Sequence, residues 1–185
     1  RMMINKNLDQ IFPDKSYQGN GKEVLRVENL KRTGVLNDIS ISVHEGEIVG
    51  IAGLMGSGRT ELVRAIYGAD KIDSGQVYIN GEKVRISSPF DAVKNGIAMV
   101  QEDRKEQGVI LKLSIRNNVT LSYLPIINTF GFVQKQAEEK RISELNSMLR
   151  IKCNSFLQPV SSLSGGNQQK VAIAKCLARN SKVII

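Results

Sequence analysis

The sequence predicts an α/β fold, and three features of its 185 residues support that prediction. Strand-like runs occupy residues 24–30, 39–43, 47–53 and 96–100. A glycine-rich turn follows the third run and leads directly into a helical pattern. Residues 102–162 are helical in pattern, and a helix and a strand follow them. We therefore expect a mixed sheet core, an antiparallel β subdomain and a helical subdomain.

The strand predictions depend on hydrophobic periodicity and turn chemistry. Residues 24–30 (VLRVENL) and 39–43 (ISISV) alternate apolar and polar positions, as half-buried strands do. Residues 47–53 (EIVGIAG) form a continuous apolar run, which is typical of a strand covered on both faces. The Asn80-Gly81 pair predicts a tight hairpin turn. Residues 96–100 (GIAMV) are a second candidate for a buried strand.

The helix predictions depend on apolar faces and on capping residues. Residues 59–68 place Leu62, Val63 and Ile66 on one face. Ser88 is a suitable N-cap for a short helix because Pro89 follows it at the first helical position. The stripe of Ile142, Leu145 and Leu149 predicts a packed helix within the helical insert.

Composition limits the classes of partner and the compartment. The 26 basic and 18 acidic residues leave a net charge of +8, which suits a nucleotide, a nucleic acid or an acidic membrane. Cys153 and Cys176 lack metal-type spacing and are expected to be free thiols in a reducing compartment. No apolar run is long enough to span a bilayer, and residues 1–10 do not resemble a signal peptide. We therefore expect a cytosolic location, with any membrane role exercised through a partner.

The stretch GLMGSGRT, residues 53–60, has the spacing of a phosphate-binding loop between a strand and a helix. Gly53, Gly56 and Gly58 allow the main chain to wrap around an anion with its N–H groups directed inward. The start of the next helix adds a positive dipole end. The Thr60 hydroxyl is a candidate ligand for Mg²⁺ bridging the terminal phosphates.

Arg59 stands where the phosphate-loop pattern has lysine. Arginine keeps the charge but carries it on a longer, planar group. Losing one well-placed charged hydrogen bond costs roughly 1.5–3 kcal/mol, which is about ten- to a hundredfold in affinity. We predict weakened nucleotide binding and poorer stabilisation of the transferring phosphate. A structural strand-to-helix turn is the alternative interpretation of this loop.

LSGGNQQK, residues 163–170, is a second candidate anion site. A serine and two glycines precede an amphipathic helix, whose N-terminus favours negative charge. Two such segments about a hundred residues apart suit two domains facing head-to-tail, each contributing one segment to a shared nucleotide. The alternative is a capped helix with a flexible lead-in.

The two motifs, in this order and with a helical insert between them, resemble the nucleotide-binding domain of ABC (ATP-binding cassette) transporters from residue 24 onward. GLMGSGRT resembles the Walker A motif, and LSGGNQQK resembles the signature with Asn167 at its variant fifth position. Three features, namely Asn167 in the signature, Arg59 in Walker A and EDRK at residues 102–105, resemble a more specific group. That group is the second cassette of the two-cassette subunits in ribose, galactose and xylose importers. Residues 1–22 then resemble the linker from a first cassette, and residues 23–185 a partial cassette with a helical subdomain at about 104–164.

This resemblance implies ATP and Mg²⁺ as cofactors, with Thr60 as the metal ligand. The family's Q-loop glutamine corresponds to Gln101 or Glu102, and the register stays open. The nucleotide-binding residues that it implies are Gly53, Met55, Gly56, Ser57, Gly58, Arg59, Thr60, Glu61, Gln101, Glu102, Leu163, Ser164, Gly165, Gly166, Asn167 and Gln168.

The resemblance also implies partners and a location. The partners are a first cassette of the same subunit, membrane permease subunits and, indirectly, a periplasmic or lipoprotein sugar-binding protein; no nucleic acid is expected. The location is the cytoplasmic face of the membrane. Residues 182–185 (KVII) resemble the start of the Walker B strand, before its aspartate and glutamate. We therefore assign no catalytic residue, and we expect an ATPase in the intact protein and negligible hydrolysis by this chain.

Two other functions compete with sugar import. A nucleic-acid-associated ABC ATPase suits the basic charge, but the insert has no long heptad pattern and the chain has no basic run with interleaved aromatics. A regulatory fragment that only binds nucleotide suits the chain as it stands. The sequence does not name the sugar.

Overall fold

The computed structural model describes residues 21–185, which divide into two compact units. The first unit contains residues 21–59 and Ile72–Val84, and the second contains Thr60–Lys71 and Arg85–Ile185. The predicted linker at residues 1–22 lies almost wholly outside the described residues.

An antiparallel four-stranded sheet forms the first unit, in the order β2-β1-β3-β4. The strands are β1 (Glu23–Arg32), β2 (Leu36–His44), β3 (Ser74–Ile79) and β4 (Glu82–Val84). Leu25 and Val27 of β1 are buried, as the alternating pattern predicted, and Leu30 is buried beyond a register shift between Val27 and Leu30. The β3–β4 hairpin turns at Asn80 and Gly81, both with positive φ, which confirms the predicted tight turn.

The predicted buried strand at residues 47–53 is wrong. Within the described part of the chain no strand pairs with this segment, which is irregular. Ile48 is 97% exposed, and Val49 and Ile51 are also exposed. An interior strand needs hydrogen-bonding neighbours on both edges. Because no described strand forms hydrogen bonds with residues 47–53, this apolar segment is neither part of a sheet nor buried.

The second unit is mainly helical. Its helices are α1 (Arg59–Ile66), α2 (Pro89–Lys94), α3 (Ile115–Ile127), α4 (Lys135–Leu149) and α5 (Gly165–Leu177). The first residue of α1, Arg59, belongs to the first unit. Its strands are β5 (Ile97–Ala98) and β8 (Val183–Ile184), which pair in parallel, and β6 (Asn128–Thr129) and β7 (Phe132–Val133), which form a hairpin. A π-helical turn spans Arg104–Gly108 and a 3₁₀ turn spans Val160–Ser162.

Helices α3, α4 and α5 pack around the main hydrophobic core of the second unit. Ile142 and Leu145 are buried there, which confirms the predicted stripe on α4. Ser88 caps α2 by accepting a hydrogen bond from Asp91 N, as predicted. The β6–β7 hairpin, with Phe130 and Phe132 exposed, and the π-helical turn were not predicted. The antiparallel sheet and the helical part confirm the predicted fold class.

The described residues contain neither a helix suited to a bilayer nor a group of side chains suited to a metal ion. None of the helices described is long and apolar enough to cross a bilayer. Within residues 21–185, no three histidine, cysteine, aspartate or glutamate side chains are grouped so that they could hold a metal ion. Cys153 and Cys176 are free thiols, as predicted.

Candidate functional site

The glycine-rich loop at residues 53–59 is curved. Ser57 N donates a hydrogen bond to Leu54 O over 3.1 Å, and Gly56 and Gly58 have φ angles of +81° and +86°. Gly58 is buried, and a Cβ at this position would lie 3.1 Å from Val35 O. Glycine therefore suits position 58 both for its conformation and for its lack of a side chain.

The outer surface of this loop is open to solvent. Leu54 and Met55 are 86% and 97% exposed. A Cβ on Gly53 would overlap Ser57 Oγ, so the two ends of the turn approach each other closely. Helix α1 begins at Arg59, immediately after the loop. The main chain thus has the curvature that an anion-binding loop requires.

An open cleft of about 560 Å³ lies within the second unit. Thr60 lines it together with Gln101 and Glu102, so the structure brings together the predicted metal ligand and both candidates for the Q-loop position. Asp103 adds a second carboxylate to the lining. Hydroxyl, amide and carboxylate oxygens are the ligands that Mg²⁺ prefers, so the residues of this cleft suit the predicted cation.

Arg64 contributes a fixed positive charge to the same cleft. Its guanidinium donates two hydrogen bonds to Asp70, over 2.8 Å and 3.1 Å. The hydrogen bonds to the Asp70 carboxylate, with its negative charge, raise the pKa of Arg64 further. The two hydrogen bonds to Asp70 restrain the Arg64 guanidinium, so this side chain forms a fixed part of the cleft wall.

Arg104 also lines the cleft, and the sequence did not identify it as a site residue. A Cβ on Gly165 would come within 2.9 Å of Arg104 Nη2, so the guanidinium lies against the start of α5. The Nε atom is buried and has no hydrogen-bond partner within the described residues. The EDRK motif therefore contacts the signature motif inside one unit.

The signature motif forms the exposed N-terminus of α5. Ser164 is the N-cap residue, and its carbonyl accepts a hydrogen bond from Gln168 N over 2.9 Å. Ser164, Gly165 and Gly166 are exposed. The Ser164 side chain makes no capping bond to the helix amides. It accepts a hydrogen bond from Asn167 Nδ2 over 3.0 Å instead.

Leu163 and Gln168 face the interior behind this exposed surface. They are 8% and 7% exposed. Gln168 Nε2 donates to Leu163 O over 3.1 Å and to Val160 O over 3.4 Å. These bonds give Gln168 a role in supporting the signature loop, and its nucleotide contact stays a prediction.

A smaller, mostly apolar cavity of about 110 Å³ lies in the second unit and includes Tyr67, Met99 and Cys176 in its wall. The Cys176 thiol donates to Met99 O over 3.4 Å. Burial raises the pKa of this thiol and that of the Tyr67 hydroxyl. Both groups are therefore neutral at physiological pH and behave as packing side chains.

The fold and the two glycine-rich segments define a nucleotide-binding domain of the P-loop class. Over residues 36–185 the sequence matches the ABC transporter family, so the chain belongs to that family of ATP-binding cassettes.

Curated relatives are similar over the full length of the chain. It is 46% identical to "Ribose import ATP-binding protein RbsA 3" of Rhizobium meliloti (strain 1021), matching 100% of this chain and 37% of that protein. Identity is also 46%, with the same coverage, to the "Ribose import ATP-binding protein RbsA" of Geobacillus kaustophilus (strain HTA426). The chain therefore spans little more than a third of the length of these relatives.

Solved structures confirm the ABC ATPase fold. The ADP conformation of MJ1267, an ATP-binding cassette of an ABC transporter, superposes with a TM-score of 0.72 at 25% identity, covering 88% of this chain and 67% of that one. A dimeric post-hydrolysis state of the cassette MJ0796, bound to ADP and Pi, has a TM-score of 0.68 at 28% identity, covering 86% and 72%.

Proposed function

We propose that this chain is an ATP-binding cassette of a sugar ABC importer, which couples ATP binding and hydrolysis to carbohydrate uptake. The observation that carries the proposal is the 46% identity, over the whole chain, to proteins named for ribose import. The chain's own residues support it, because the phosphate loop, the Thr60 cleft and the exposed start of α5 provide the parts that a shared nucleotide site requires.

In this proposal each cassette contributes one half of a site. The loop at residues 53–59 holds the phosphates of one ATP, with Thr60 and Glu61 at the start of α1. Ser164, Gly165 and Gly166 contact the terminal phosphate of a nucleotide held by a second cassette. A dimeric cassette with ADP and Pi among the structural relatives is consistent with this arrangement.

Mg²⁺ fits the Thr60 cleft on the chemistry of its lining. Thr60 would hold the ion beside the phosphates, with Gln101 or Glu102 at the Q-loop position. Mg²⁺ neutralises negative charge on the phosphates when it is bound. Few protein ligands are needed, because Mg²⁺ keeps several waters and takes phosphate oxygens as ligands.

Of the two nucleotide sites that a pair of cassettes forms, the site at this chain's own phosphate loop binds ATP more weakly because of Arg59. The guanidinium is a poorer match than an ammonium for one compact position between two phosphates. The signature of this chain would complete the stronger site of its partner cassette. Hydrolysis therefore needs both cassettes, and we expect the 185-residue chain by itself to hydrolyse ATP negligibly.

The proposed partners follow from the relatives. This chain covers 37% of their length, which leaves room for a first cassette in the same subunit. Import also requires permease subunits and a sugar-binding protein outside the cell, so the cassette would lie at the cytoplasmic face of the membrane. Ribose is the first sugar to test, and galactose and xylose are the next.

Nucleotide titration tests the ATP-binding step. We expect Mg·ATP to bind weakly in calorimetry, and Arg59→Lys to tighten binding about tenfold by restoring the compact charge. Arg85→Lys is the matched control at an exposed arginine outside the loop, and it should leave affinity unchanged. Absence of heat at millimolar nucleotide, in both the native protein and the lysine variant, would contradict ATP binding.

Sugar uptake tests the transport step. Cells that carry Gly56→Asp in the full-length protein should lose ribose uptake while the subunit is still produced, because a side chain at this exposed position has room and its carboxylate would repel the phosphates at the loop. Uptake of ribose, galactose and xylose at native rates in such cells would exclude the import function. In that case the nucleotide titration would still decide whether the chain is a binding module.

A further inference from the structure

The side-chain amide of Asn167 has a determined orientation. Lys152 N donates a hydrogen bond to Asn167 Oδ1 over 2.9 Å. A main-chain N–H only donates, so the amide atom facing Lys152 must be the oxygen. The Nδ2 group therefore faces Ser164, whose Oγ lies 3.0 Å away. The contact with Lys152 thus decides which end of the amide meets the serine.

This orientation fixes the role of the Ser164 hydroxyl. An amide NH₂ only donates, so Ser164 Oγ is the acceptor in that contact. A hydroxyl has one donor hydrogen and two acceptor lone pairs. The hydroxyl hydrogen of Ser164 is therefore not donated to Asn167. The Ser164 side chain also makes no capping bond to the helix. Ser164 is exposed, so its O–H remains able to donate to a ligand.

The segment 150–152, which holds the Asn167 side chain through Lys152 N, is itself restrained. Lys170 Nζ, from the next turn of α5, donates to Arg150 O over 2.8 Å. Arg150 ends α4 in a left-handed conformation with a φ of 52°. Two bonds from α5 thus hold the segment 150–152, one to Lys152 N and one to Arg150 O. Asn167 is half-buried, as expected for a side chain that is held in one position.

We propose that Asn167 is a positioning residue that makes Ser164 a hydrogen-bond donor to the terminal phosphate of ATP held by the partner cassette. The inference rests on the proposed function, because it assumes that Ser164 meets that phosphate. A terminal phosphate presents only acceptor oxygens, so it needs the hydroxyl hydrogen. ADP lacks that phosphate, so the effect of Asn167 is specific to ATP.

Asn167→Asp separates this role from simple support of the loop. The carboxylate still accepts from Lys152 N, and an acidic side chain in the first turn of a helix is favourable. It cannot donate, so Ser164 O–H turns toward it and away from the phosphate. The fold is retained while the hydroxyl hydrogen is diverted. Asn167→Ala removes both contacts, and Ser164→Ala removes the hydroxyl.

The experiment measures binding of ADP and of a non-hydrolysable ATP analogue to the full-length protein. We expect Asn167→Asp to raise the dissociation constant of the analogue about tenfold and to leave that of ADP nearly unchanged. In the Ser164→Ala background, Asn167→Asp should cause no further loss. The melting temperature of each variant should stay close to the native value, except that Asn167→Ala lowers it.

The outcomes distinguish the two proposals. If Ser164→Ala leaves binding of the ATP analogue unchanged, the proposed signature contact fails, and the role of Asn167 fails with it. If Ser164→Ala weakens binding but Asn167→Asp does not, only the positioning role is overturned. An equal loss of affinity for ADP and the analogue, or a further loss in the Ser164→Ala background, would indicate general damage or charge repulsion and would also overturn it.

Discussion

The two candidate anion-binding segments of this chain are held in different ways. The signature segment at the start of α5 is supported by side-chain bonds from Asn167, Gln168 and Lys170 and by the core behind it. The phosphate loop follows an apolar segment, residues 47–53, that pairs with no strand among residues 21–185, and Leu54 and Met55 are exposed at the surface of the loop. The signature is therefore organised by its own unit, whereas the shape of the phosphate loop depends mainly on its glycines.

The largest expected difference between these regions lies in the packing of two isoleucines. Ile115, at the start of α3, is 0% exposed, whereas Ile48, before the phosphate loop, is 97% exposed. Ile115→Ala should lower the free energy of unfolding by about 2–5 kcal/mol because it leaves a cavity. Ile48→Ala should change it by less than about 0.5 kcal/mol.

Urea unfolding of the purified protein, followed by far-UV circular dichroism, measures both values. Equal losses of stability for the two variants would show that residues 47–53 are packed in solution. The contrast between the two segments would then be wrong.

A smaller effect is expected at Gln168, because it acts on one loop. Gln168→Ala removes the side-chain donor to Leu163 O, whereas Val160 O keeps its hydrogen bond from Leu163 N. A buried polar group that loses its partner costs roughly 1–3 kcal/mol. Gln169→Ala is the matched control, since Gln169 is the adjacent glutamine of the same helix and is more exposed.

Thermal unfolding measures the effect of the two glutamine variants. Gln168→Ala should lower the melting temperature by several degrees, and Gln169→Ala should change it little. Identical melting temperatures would mean that the signature loop is held without the Gln168 amide, and that its organisation comes from Asn167 and the helix core.

Sequence reasoning succeeded where the deciding residues are neighbours in the chain. The Asn80-Gly81 turn and the Ser88 cap depend on a few adjacent residues, and the structure confirms both. The segment 47–53 was predicted wrongly because strand formation requires pairing with distant residues, which hydrophobicity alone does not supply.

The same limit applies to the candidate site. The loop glycines, Thr60 and the signature serine were predicted as site residues from motifs of adjacent residues, and their contacts with nucleotide stay a prediction. The contact of Arg104 with Gly165 joins residues far apart in the sequence, as does the bond from Lys152 to Asn167. No periodicity or spacing encodes such contacts, so the supporting residues of the site emerge only from the fold.

The smallest expected effect distinguishes two glycines of the phosphate loop. Gly56 and Gly58 both have positive φ, so alanine at either position should cost about 1–2 kcal/mol in backbone strain. Among the residues that the structure describes, nothing lies within 4 Å of a Cβ at Gly56, whereas a Cβ at Gly58 would lie 3.1 Å from Val35 O. Gly58→Ala should therefore be the more destabilising change, by a further margin below about 1 kcal/mol.

Paired urea titrations of Gly56→Ala and Gly58→Ala test this ranking. Gly34→Ala is a third variant, with positive φ and no described neighbour within 4 Å of its Cβ. Gly34 and Gly56 should give similar losses, since both have backbone strain alone. A Gly58 variant no less stable than these two would mean that the loop moves away from β2 at no cost. The curvature of the phosphate loop would then depend on bound nucleotide, and the contrast with the self-supported signature would be larger still.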